Sequence, residues 1–264
     1  MSITFTLQQP ITHEVVPSTA FVASPSGDFH CAACLANTLN VCAAVGQNGM
    51  PEANQVQRPP LLVASVHTIP ARRTICHPTE WSDFVPIVCH GWATSSIALA
   101  DGRRQILSFL LPGDMFSMAS LIEPMSGRLV EAVTEVTYRN YKRSDLRAIL
   151  FEYPDVLETV TKAWIEQKRQ GDQLAVDLGR RTADERIARL ILNLMERLAK
   201  RGMSQDQTIE FPLRQHHIAD ATGLTPVHVS KVLSEFRRSG LIEIRDRSLT
   251  VLDPAEFRRI ANMR

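Results

Sequence analysis

The sequence lacks the marks of a membrane or secreted protein. No apolar run approaches the roughly 20 residues that a bilayer-spanning helix needs. The first residues, MSITFTLQQPITHEV, do not place a basic region before an apolar core, as a secretory signal does. We therefore expect a cytoplasmic protein without a membrane partner. In that reducing compartment its five cysteines are more typical of free, metal-bound or redox-active thiols than of disulfides.

Signatures of catalysis are also missing. The sequence contains no phosphate-binding glycine loop, no metal-binding histidine motif on a helix and no nucleophile elbow. It therefore gives no support to an enzyme. The net charge of +1 does not indicate a partner, but its distribution does: residues 180–264 carry 16 Lys/Arg and 11 Asp/Glu, a net +5, and the remainder is −4. A basic C-terminal end is typical of a DNA-reading domain attached to a sensing domain.

The strongest pattern, from Leu213 to Asp253, predicts a helix-turn-helix followed by a β-wing. A first helix is expected over 214–222, with Gly223 supplying the tight turn that follows it. Thr225 is a good N-cap for the second helix, and Pro226 is tolerated at the first helical position. A tight helical hairpin without a DNA role is the alternative, but the capped helix, basic face and wing occur together in order.

The second helix separates an apolar stripe from a polar, basic face. Its buried positions are predicted to be Val229, Val232, Leu233 and Phe236. Two short strands, 241–244 and 248–252, then flank a basic wing tip at Arg245-Asp246-Arg247. Small polar and basic side chains at the start of a helix suit entry into the major groove. The predicted DNA-binding residues are Arg214, Gln215, Thr225, Val227, His228, Ser230, Lys231 and Arg237.

The sequence predicts a β-rich unit in the middle of the chain. Short alternating segments run from Leu61 to about Tyr141: SVHTI, RTICH, FVPIV, WATSSIALA, QILSFLL, MFSM, EAVTEV and YRNYK. Asp101-Gly102 between two of them is a strong hairpin signal. Eight short strands predict a β-roll, and a short helix over 144–151 should follow it.

A long helix is predicted to begin at Pro154. Its apolar residues fall on one seam with a spacing of three and four, interrupted by Gln167 and Gly171. We interpret the seam as a homodimer interface because the helix lies between two domains, although an intramolecular core face would give the same pattern. A second amphipathic helix begins with a capping box at Thr182 and Glu185. The predicted interface residues are Leu157, Val160, Trp164, Leu174 and Leu178.

Three of the five cysteines lie within twelve residues near the N-terminus. They form the pattern C-x2-C-x7-C at Cys31, Cys34 and Cys42. Thiolates bind soft metals and iron–sulfur clusters, and a C-x2-C pair lets two sulfurs reach one centre. Attachment of c-type haem is excluded because the histidine precedes the first cysteine instead of following the second. Packing of small buried cysteines is the alternative.

The chain resembles the CRP/FNR family of bacterial transcription regulators, in particular its FNR/FnrN/FixK-like branch. The matches are the helix-turn-helix, the hairpin ADGRRQILSFLLPGD (100–114) and the run TADERIARLILNL (182–194), and they extend back to about Leu61. The resemblance implies an α+β fold with an N-terminal β-roll, a long dimerisation helix and a C-terminal winged helix-turn-helix. It also implies a homodimer that binds double-stranded palindromic DNA and contacts RNA polymerase. The expected divisions are 1–60 (segment with the cysteine cluster), 61–152 (β-roll sensor), 153–181 (dimerisation helix) and 182–264 (DNA-binding domain).

The resemblance bears on cofactors in two ways. FNR-type oxygen sensors hold a [4Fe–4S] cluster with an N-terminal cysteine group and one central cysteine, but Arg139 stands at that central position here. The fourth ligand is then Cys89, Cys76, another group or absent; we prefer Cys89, on the neighbouring strand, and interpret Cys76 as a buried strand thiol. Cyclic-nucleotide-binding relatives use a Gly-Glu-Leu turn and an Arg-Ser pair. The matching positions, Ser117-Met118-Ala119 and Arg128-Leu129, lack the glutamate and the serine, so we expect no cyclic nucleotide.

In the family's recognition helix a glutamate, and an arginine four residues later, contact bases. Those positions are Val227 and Lys231, with Ser230 beside the latter and His228 predicted to contact phosphate or solvent. We expect a DNA-binding regulator that responds to oxygen or redox state. One alternative is a regulator without a metal, either thiol-sensing or constitutive. The other is an iron–sulfur electron-transfer protein with a structural C-terminal domain.

Overall fold

The structure, a computed structural model, describes residues 62–262. Along the chain, a β-roll is followed by two connecting helices and then by a winged helix-turn-helix. The predicted cysteine cluster, Cys31, Cys34 and Cys42, lies outside the described residues. The elements of the roll are β1 (Ala64–Ile69), β2 (Thr74–Cys76), β3 (Phe84–His90), β4 (Ala93–Ala98), β5 (Arg104–Leu110), β6 (Leu129–Ala132) and β7 (Val136–Lys142).

The strands of the roll form two antiparallel sheets, ordered β1-β7-β3 and β2-β6-β4-β5. Inward-facing aliphatic and aromatic residues fill the space between them, including Val88, Phe116 and Val130. The expected strand MFSM is wrong: Met115 makes a single bridge to Ile87, and Ser117 then caps a short 3₁₀ helix, Met118–Leu121. A side-chain cap that satisfies a backbone N–H competes with strand pairing there.

Three helices follow the roll. They are α1 (Arg143–Glu152), α2 (Pro154–Arg180) and α3 (Ala183–Ala199). The capping box expected at the start of α3 is present: the Glu185 side chain accepts from the Thr182 backbone N–H at 2.7 Å, and Thr182 Oγ1 accepts from the Glu185 N–H at 3.4 Å. These reciprocal bonds satisfy two N–H groups that a helix start leaves unpaired.

The C-terminal domain contains the helix-turn-helix and a four-stranded sheet. Its elements are β8 (Ser204–Gln205), β9 (Thr208–Glu210), α4 (Gln215–Thr222), α5 (Pro226–Arg238), β10 (Ile242–Arg245), β11 (Ser248–Val251) and α6 (Pro254–Ile260). The sheet order is β10-β11-β9-β8. The sequence pattern predicts the wing strands but not β8 and β9. These strands are two and three residues long and too short to show a period.

The roll and the DNA-binding domain share one apolar core. Trp92, Ile106 and Phe109 of the roll belong to the same buried cluster as Ile191 of α3 and Ile218 of α4. A polar contact joins the same surfaces: Asp114 forms ion pairs with Arg197 at 2.6 Å and Arg201 at 2.5 Å. Within residues 62–262, no helix is long and apolar enough to cross a membrane.

Candidate nucleic-acid interface

The turn between α4 and α5 depends on Gly223. Its φ is +66°, in the left-handed region that glycine adopts without a steric penalty. A Cβ at this position would also lie 2.9 Å from Leu178 Cδ2 of α2. Gly223 thus permits both the chain reversal and the close approach of α2.

Helix α5 begins as the sequence predicted. Thr225 Oγ1 accepts a hydrogen bond from the His228 backbone N–H at 3.2 Å, and Pro226 occupies the first helical position. The four residues predicted to be buried are all at most 6% exposed: Val229, Val232, Leu233 and Phe236. Because this stripe packs into the domain core, the opposite face of α5 is directed to solvent.

The exposed face of α5 carries the predicted base-reading residues. Val227 is 81% exposed, an unusual environment for a valine. His228 and Lys231 are exposed and Ser230 is half-buried. Arg237 is also exposed, and its guanidinium donates to Ser234 Oγ at 3.2 Å and to the Leu233 carbonyl at 3.3 Å. The surface therefore combines donors with one apolar contact point, groups that can read base edges in a major groove.

The wing is a tight hairpin beside this helix. Strands β10 and β11 pair from Ile242↔Val251 to Arg245↔Ser248. The two residues at the tip, Asp246 and Arg247, have φ values of 47° and 63°, the conformation of a type I′ hairpin turn. All three tip residues, 245–247, are exposed.

The start of α4 places another basic group on the surface. Arg214 and Gln215 are exposed. The Arg214 backbone N–H donates to His217 Nδ1 at 3.1 Å, which requires an unprotonated Nδ1. The pKa of His217 is lowered to about 4, first by burial and then by the positive charges of His216, Arg104 and Arg214. The imidazole is therefore a neutral cap at neutral pH.

The five residues predicted on one dimer seam divide between two faces of α2. Leu157 and Trp164 are 47% and 56% exposed, whereas Val160 is 4% exposed and packs in the roll's own core. Leu174 and Leu178 are half-buried and line a cavity of about 300 Å³ between α2, α3 and β5. The expectation for Val160 is thus corrected: its spacing matches the seam, but its side chain is covered by its own chain.

Of the predicted metal ligands, only Cys89 lies among the described residues. It is half-buried at a bulge in β3, between Val88 and His90, and β3 pairs with β7 through Ile87↔Arg139. The expected adjacency of the two strands is therefore present. Burial raises the pKa of Cys76, in keeping with a strand thiol. No group of three or more possible metal ligands occurs within residues 62–262.

The positions matched to a cyclic nucleotide site lie at the short 3₁₀ helix and at the start of β6. Ser117 caps the 3₁₀ helix that contains Met118 and Ala119, and no carboxylate stands there for a ribose hydroxyl. Arg128 is half-buried, and its Nη1 has no hydrogen-bond partner among the described residues.

The residues that hold α4 against the roll were not predicted from the sequence. Arg104 Nε of β5 pairs with Asp220 of α4 at 2.7 Å, and Gln105 donates to the Ala221 carbonyl at 3.1 Å. The partners are 116 residues apart in each case. No local sequence pattern could have indicated such a distant pairing.

Comparison with known proteins agrees with this architecture. A family model described as "Crp-like helix-turn-helix domain" matches residues 185–260, and one described as "Cyclic nucleotide-binding domain" matches residues 66–153. The nitrogen fixation regulation protein FixK of Bradyrhizobium diazoefficiens is 30% identical over 249 residues, which cover 93% of this chain and 98% of FixK. The transcriptional activatory protein AadR of Rhodopseudomonas palustris is 29% identical over 249 residues, 93% of this chain and 99% of AadR.

A solved structure gives the same result for the fold. FixK2 from Bradyrhizobium japonicum superimposes with a TM-score of 0.68 at 28% identity, over 75% of this chain and 98% of that one. The β-roll, the connecting helices and the winged helix-turn-helix are thus shared along nearly the whole relative. The chain therefore belongs to the CRP/FNR family of transcription regulators, DNA-binding proteins rather than enzymes.

Proposed function

We propose that the protein is a homodimeric regulator that recognises a palindromic DNA site through α5 and responds to oxygen or redox state. The observation that supports DNA reading most directly is the exposed face of α5, where Val227, His228 and Lys231 project while the opposite stripe is buried. A two-fold dimer presents two such helices to two half-sites one helical turn apart. Contact with RNA polymerase is part of the same proposal, since relatives are named as transcriptional activators.

DNA recognition can be tested by selecting bound duplexes from random sequence and measuring their affinity at several salt concentrations. The expected result is a palindromic consensus bound far more tightly than unrelated DNA. Binding that depends on salt but not on sequence would contradict the proposal, because phosphate contacts alone produce that behaviour. Transcription from a promoter carrying the selected site would then test the polymerase contact.

For the signal, we propose a [4Fe–4S] cluster bound by Cys31, Cys34 and Cys42, with Cys89 as the fourth ligand. Such a cluster would make the conformation of the regulator depend on oxygen. The spacing of the three cysteines supports the proposal, as does the position of Cys89 on the strand beside Arg139. Iron and acid-labile sulfide should be present in protein purified without oxygen, and Cys34→Ala should lose them. Full iron content and an unaltered oxygen response in that variant would contradict the cluster.

A regulator without a metal is the second candidate. Arg139 occupies the position of the family's central cysteine, and a guanidinium is not a ligand for iron. In this case protein purified without oxygen would contain no stoichiometric iron and would still bind the selected DNA. An iron–sulfur electron carrier with a structural C-terminal domain has no support from a family of regulators.

We also propose that the roll does not respond to cyclic nucleotides. The glutamate that would bind the ribose hydroxyl is absent, and leucine stands at position 129 in place of serine. Arg128 is then the single group matched to the phosphate. Neither cyclic AMP nor cyclic GMP is then expected to raise the melting temperature or the DNA affinity of the protein. A shift that Arg128→Ala abolishes would contradict this proposal.

A further inference from the structure

A cavity of about 300 Å³ lies between α2, α3, β5 and the end of α4. Part of its wall is apolar: Leu107 of β5, Leu174 of α2 and Leu190 of α3 line it, and each is half-buried. The positions matched to a cyclic nucleotide site, 117–119 and 128–129, are not among its lining residues. The cavity is therefore separate from that site, and the proposed function does not use it.

The volume of the cavity limits what can occupy it. It equals the volume of about ten water molecules in the liquid and lies at the lower end of the range for small-molecule sites. A single turn of a helix, about 10 Å wide and 5.4 Å long, takes about 420 Å³. The cavity therefore suits a small molecule and not the α2 helix of a second copy, although the sequence pattern predicts Leu174 at the dimer interface.

One guanidinium group that lines the cavity has no carboxylate partner. Arg186 of α3 is half-buried, and it donates from Nε to the Arg181 carbonyl at 2.9 Å and from Nη1 to the Thr222 carbonyl at 3.1 Å. Within residues 62–262 it forms no ion pair, and its Nη2 has no hydrogen-bond partner. A half-buried charge without a counter-charge favours a bound anion.

The carboxylates around Arg186 are already in ion pairs. Four arginines line the cavity against three carboxylates, a net charge of +1. One of these carboxylates, Asp177, is shared by Arg181 and Arg189 at 2.9 Å each. The other two pair with a neighbour on their own helix. The excess positive charge therefore suits a ligand with one negative charge, and the leucines suit an apolar body.

Arg186 also contacts the helix-turn-helix. Thr222, whose carbonyl it binds, is the last residue of α4, and the turn glycine Gly223 follows. A Cβ at Gly223 would lie 3.7 Å from Arg186 Nη1 and 2.9 Å from Leu178 Cδ2 of α2. An anion on Arg186 would thus lie beside the turn that positions α5, while its body contacts α2. Such a ligand touches the long helix and the DNA-binding domain at once, so it can couple the two.

We propose that the cavity binds a small carboxylic acid in its anionic form and that this ligand changes the affinity of the protein for DNA. The carboxylate binds Arg186, and the apolar body packs against Leu107, Leu174 and Leu190. A bound ligand favours the arrangement of α2, α3 and α4 that forms the cavity. The binding step is independent of the proposed function, whereas the effect on DNA rests on the proposed recognition by α5.

The binding test uses hexanoate, octanoate and 3-phenylpropanoate, each with the corresponding alcohol as its neutral counterpart. Binding to the full-length wild type is measured by calorimetric titration and by the rise in melting temperature. At least one acid should bind, and more tightly than its alcohol. Arg186→Gln should weaken the binding of that acid about tenfold or more, because a charge-assisted hydrogen bond is lost. The affinity for the alcohol should not change.

Arg180→Gln is the matched control for charge. Arg180 is an exposed arginine at the end of α2 that does not line the cavity. The variant should bind the acid as the wild type does. Because Arg186 also holds two backbone carbonyls, a second variant fills the cavity without changing the charge. Leu190→Trp should abolish binding of both the acid and the alcohol.

The same acid should change the affinity of the wild type for the selected palindrome about fivefold or more, and it should not affect Leu190→Trp. The inference would be overturned if none of the acids bound, as when a side chain of the partner subunit fills the cavity. Equal binding of the acid by Arg186→Gln and Arg180→Gln, or persistent binding by Leu190→Trp, would also overturn it. Binding without an effect on DNA affinity would refute the regulatory role. Failure of the proposed function would instead remove specific binding to the palindrome in the absence of any acid.

Discussion

At the residue scale, the proposed recognition of bases depends on Lys231. Its ammonium group is exposed on α5 and can donate to guanine O6 or N7. We predict that Lys231→Ala costs about 1–3 kcal/mol in binding free energy and relaxes the preference at one base pair of each half-site. Selection of bound duplexes from random DNA, with wild type and variant in parallel, measures both quantities.

Arg237 provides the comparison for Lys231. If Arg237 contacts phosphate, its loss should weaken binding to every sequence alike. Arg237→Ala should then leave the consensus unchanged. If Lys231→Ala also lowered affinity equally for all duplexes, Lys231 would be a backbone contact.

Val227, at the position where the family has glutamate, cannot accept from a cytosine amino group. The half-site is therefore expected to differ from the family's usual core at the base pair that the glutamate reads.

His217 links the stability of the DNA-binding domain to pH. Its pKa of about 4 in the folded protein lies below the ordinary 6.5, so the unfolded chain binds more protons between these values. The free energy of unfolding therefore receives a contribution that is complete above pH 6.5 and is lost as the pH falls toward 4. His217→Gln retains an acceptor for the Arg214 N–H but does not titrate.

The difference in unfolding free energy between wild type and His217→Gln, measured by urea denaturation from pH 7 to pH 4, should shift steadily in favour of the variant. The reason is that only the wild type must keep an imidazole neutral to stay folded. A difference that does not change with pH would show that His217 is protonated in the folded protein as readily as in the unfolded chain.

At the scale of elements, helix α2 has one buried face and one exposed face. One face, with Val156 and Val160, completes the core of the roll. The other leaves Leu157 and Trp164 exposed, about two turns apart on the same side of the helix. Heptad spacing alone could not separate these faces, since the separation depends on which side of the helix meets its own domain.

We predict that Trp164→Asp dissociates the proposed dimer. The tryptophan is 56% exposed in the single chain, so the substitution should leave the monomer folded but bury an unpaired charge between two subunits. Analytical ultracentrifugation should show monomers, and affinity for the palindrome should fall with the loss of the second half-site contact. Val176→Asp is the control: Val176 is 48% exposed and lies about 120° around the helix from Trp164. A dimeric Trp164→Asp protein would place the interface elsewhere.

Within single elements, much of the structure could be predicted from the sequence. Thr225, Pro226 and Gly223 act through bonds and torsions within a few residues, and the buried stripe of α5 follows from its period. The strand predicted at MFSM does not form, because Ser117 Oγ accepts a hydrogen bond from the Ala119 backbone N–H. Contacts between domains could not be predicted, because their partners are far apart in sequence.

At the scale of the whole molecule, Asp114 joins the sensor roll to the DNA-binding domain. Its carboxylate accepts from Arg197 and Arg201, which are 83 and 87 residues away, and from the Leu111 backbone N–H at 2.8 Å. The two arginines also donate to the carbonyls of Phe109 and Pro112, each at 2.8 Å. This network and the shared apolar core fix one domain on the other.

Neutralising Asp114 should therefore weaken the contact between domains. The carboxylate is 21% exposed and its arginines are 13% and 15% exposed, so solvent screens the pairs only in part. We predict that Asp114→Asn lowers the free energy of unfolding by about 1.5–3 kcal/mol, as expected for lost hydrogen bonds to charged groups.

Asp101→Asn is the matched control: Asp101 pairs with Arg103 at 2.8 Å, but the side chains are 51% and 78% exposed. It should cost much less than Asp114→Asn, because solvent screens an exposed pair. Urea unfolding at one fixed protein concentration compares the variants, and equal losses would mean that the ion pairs at Asp114 contribute no more than an exposed pair.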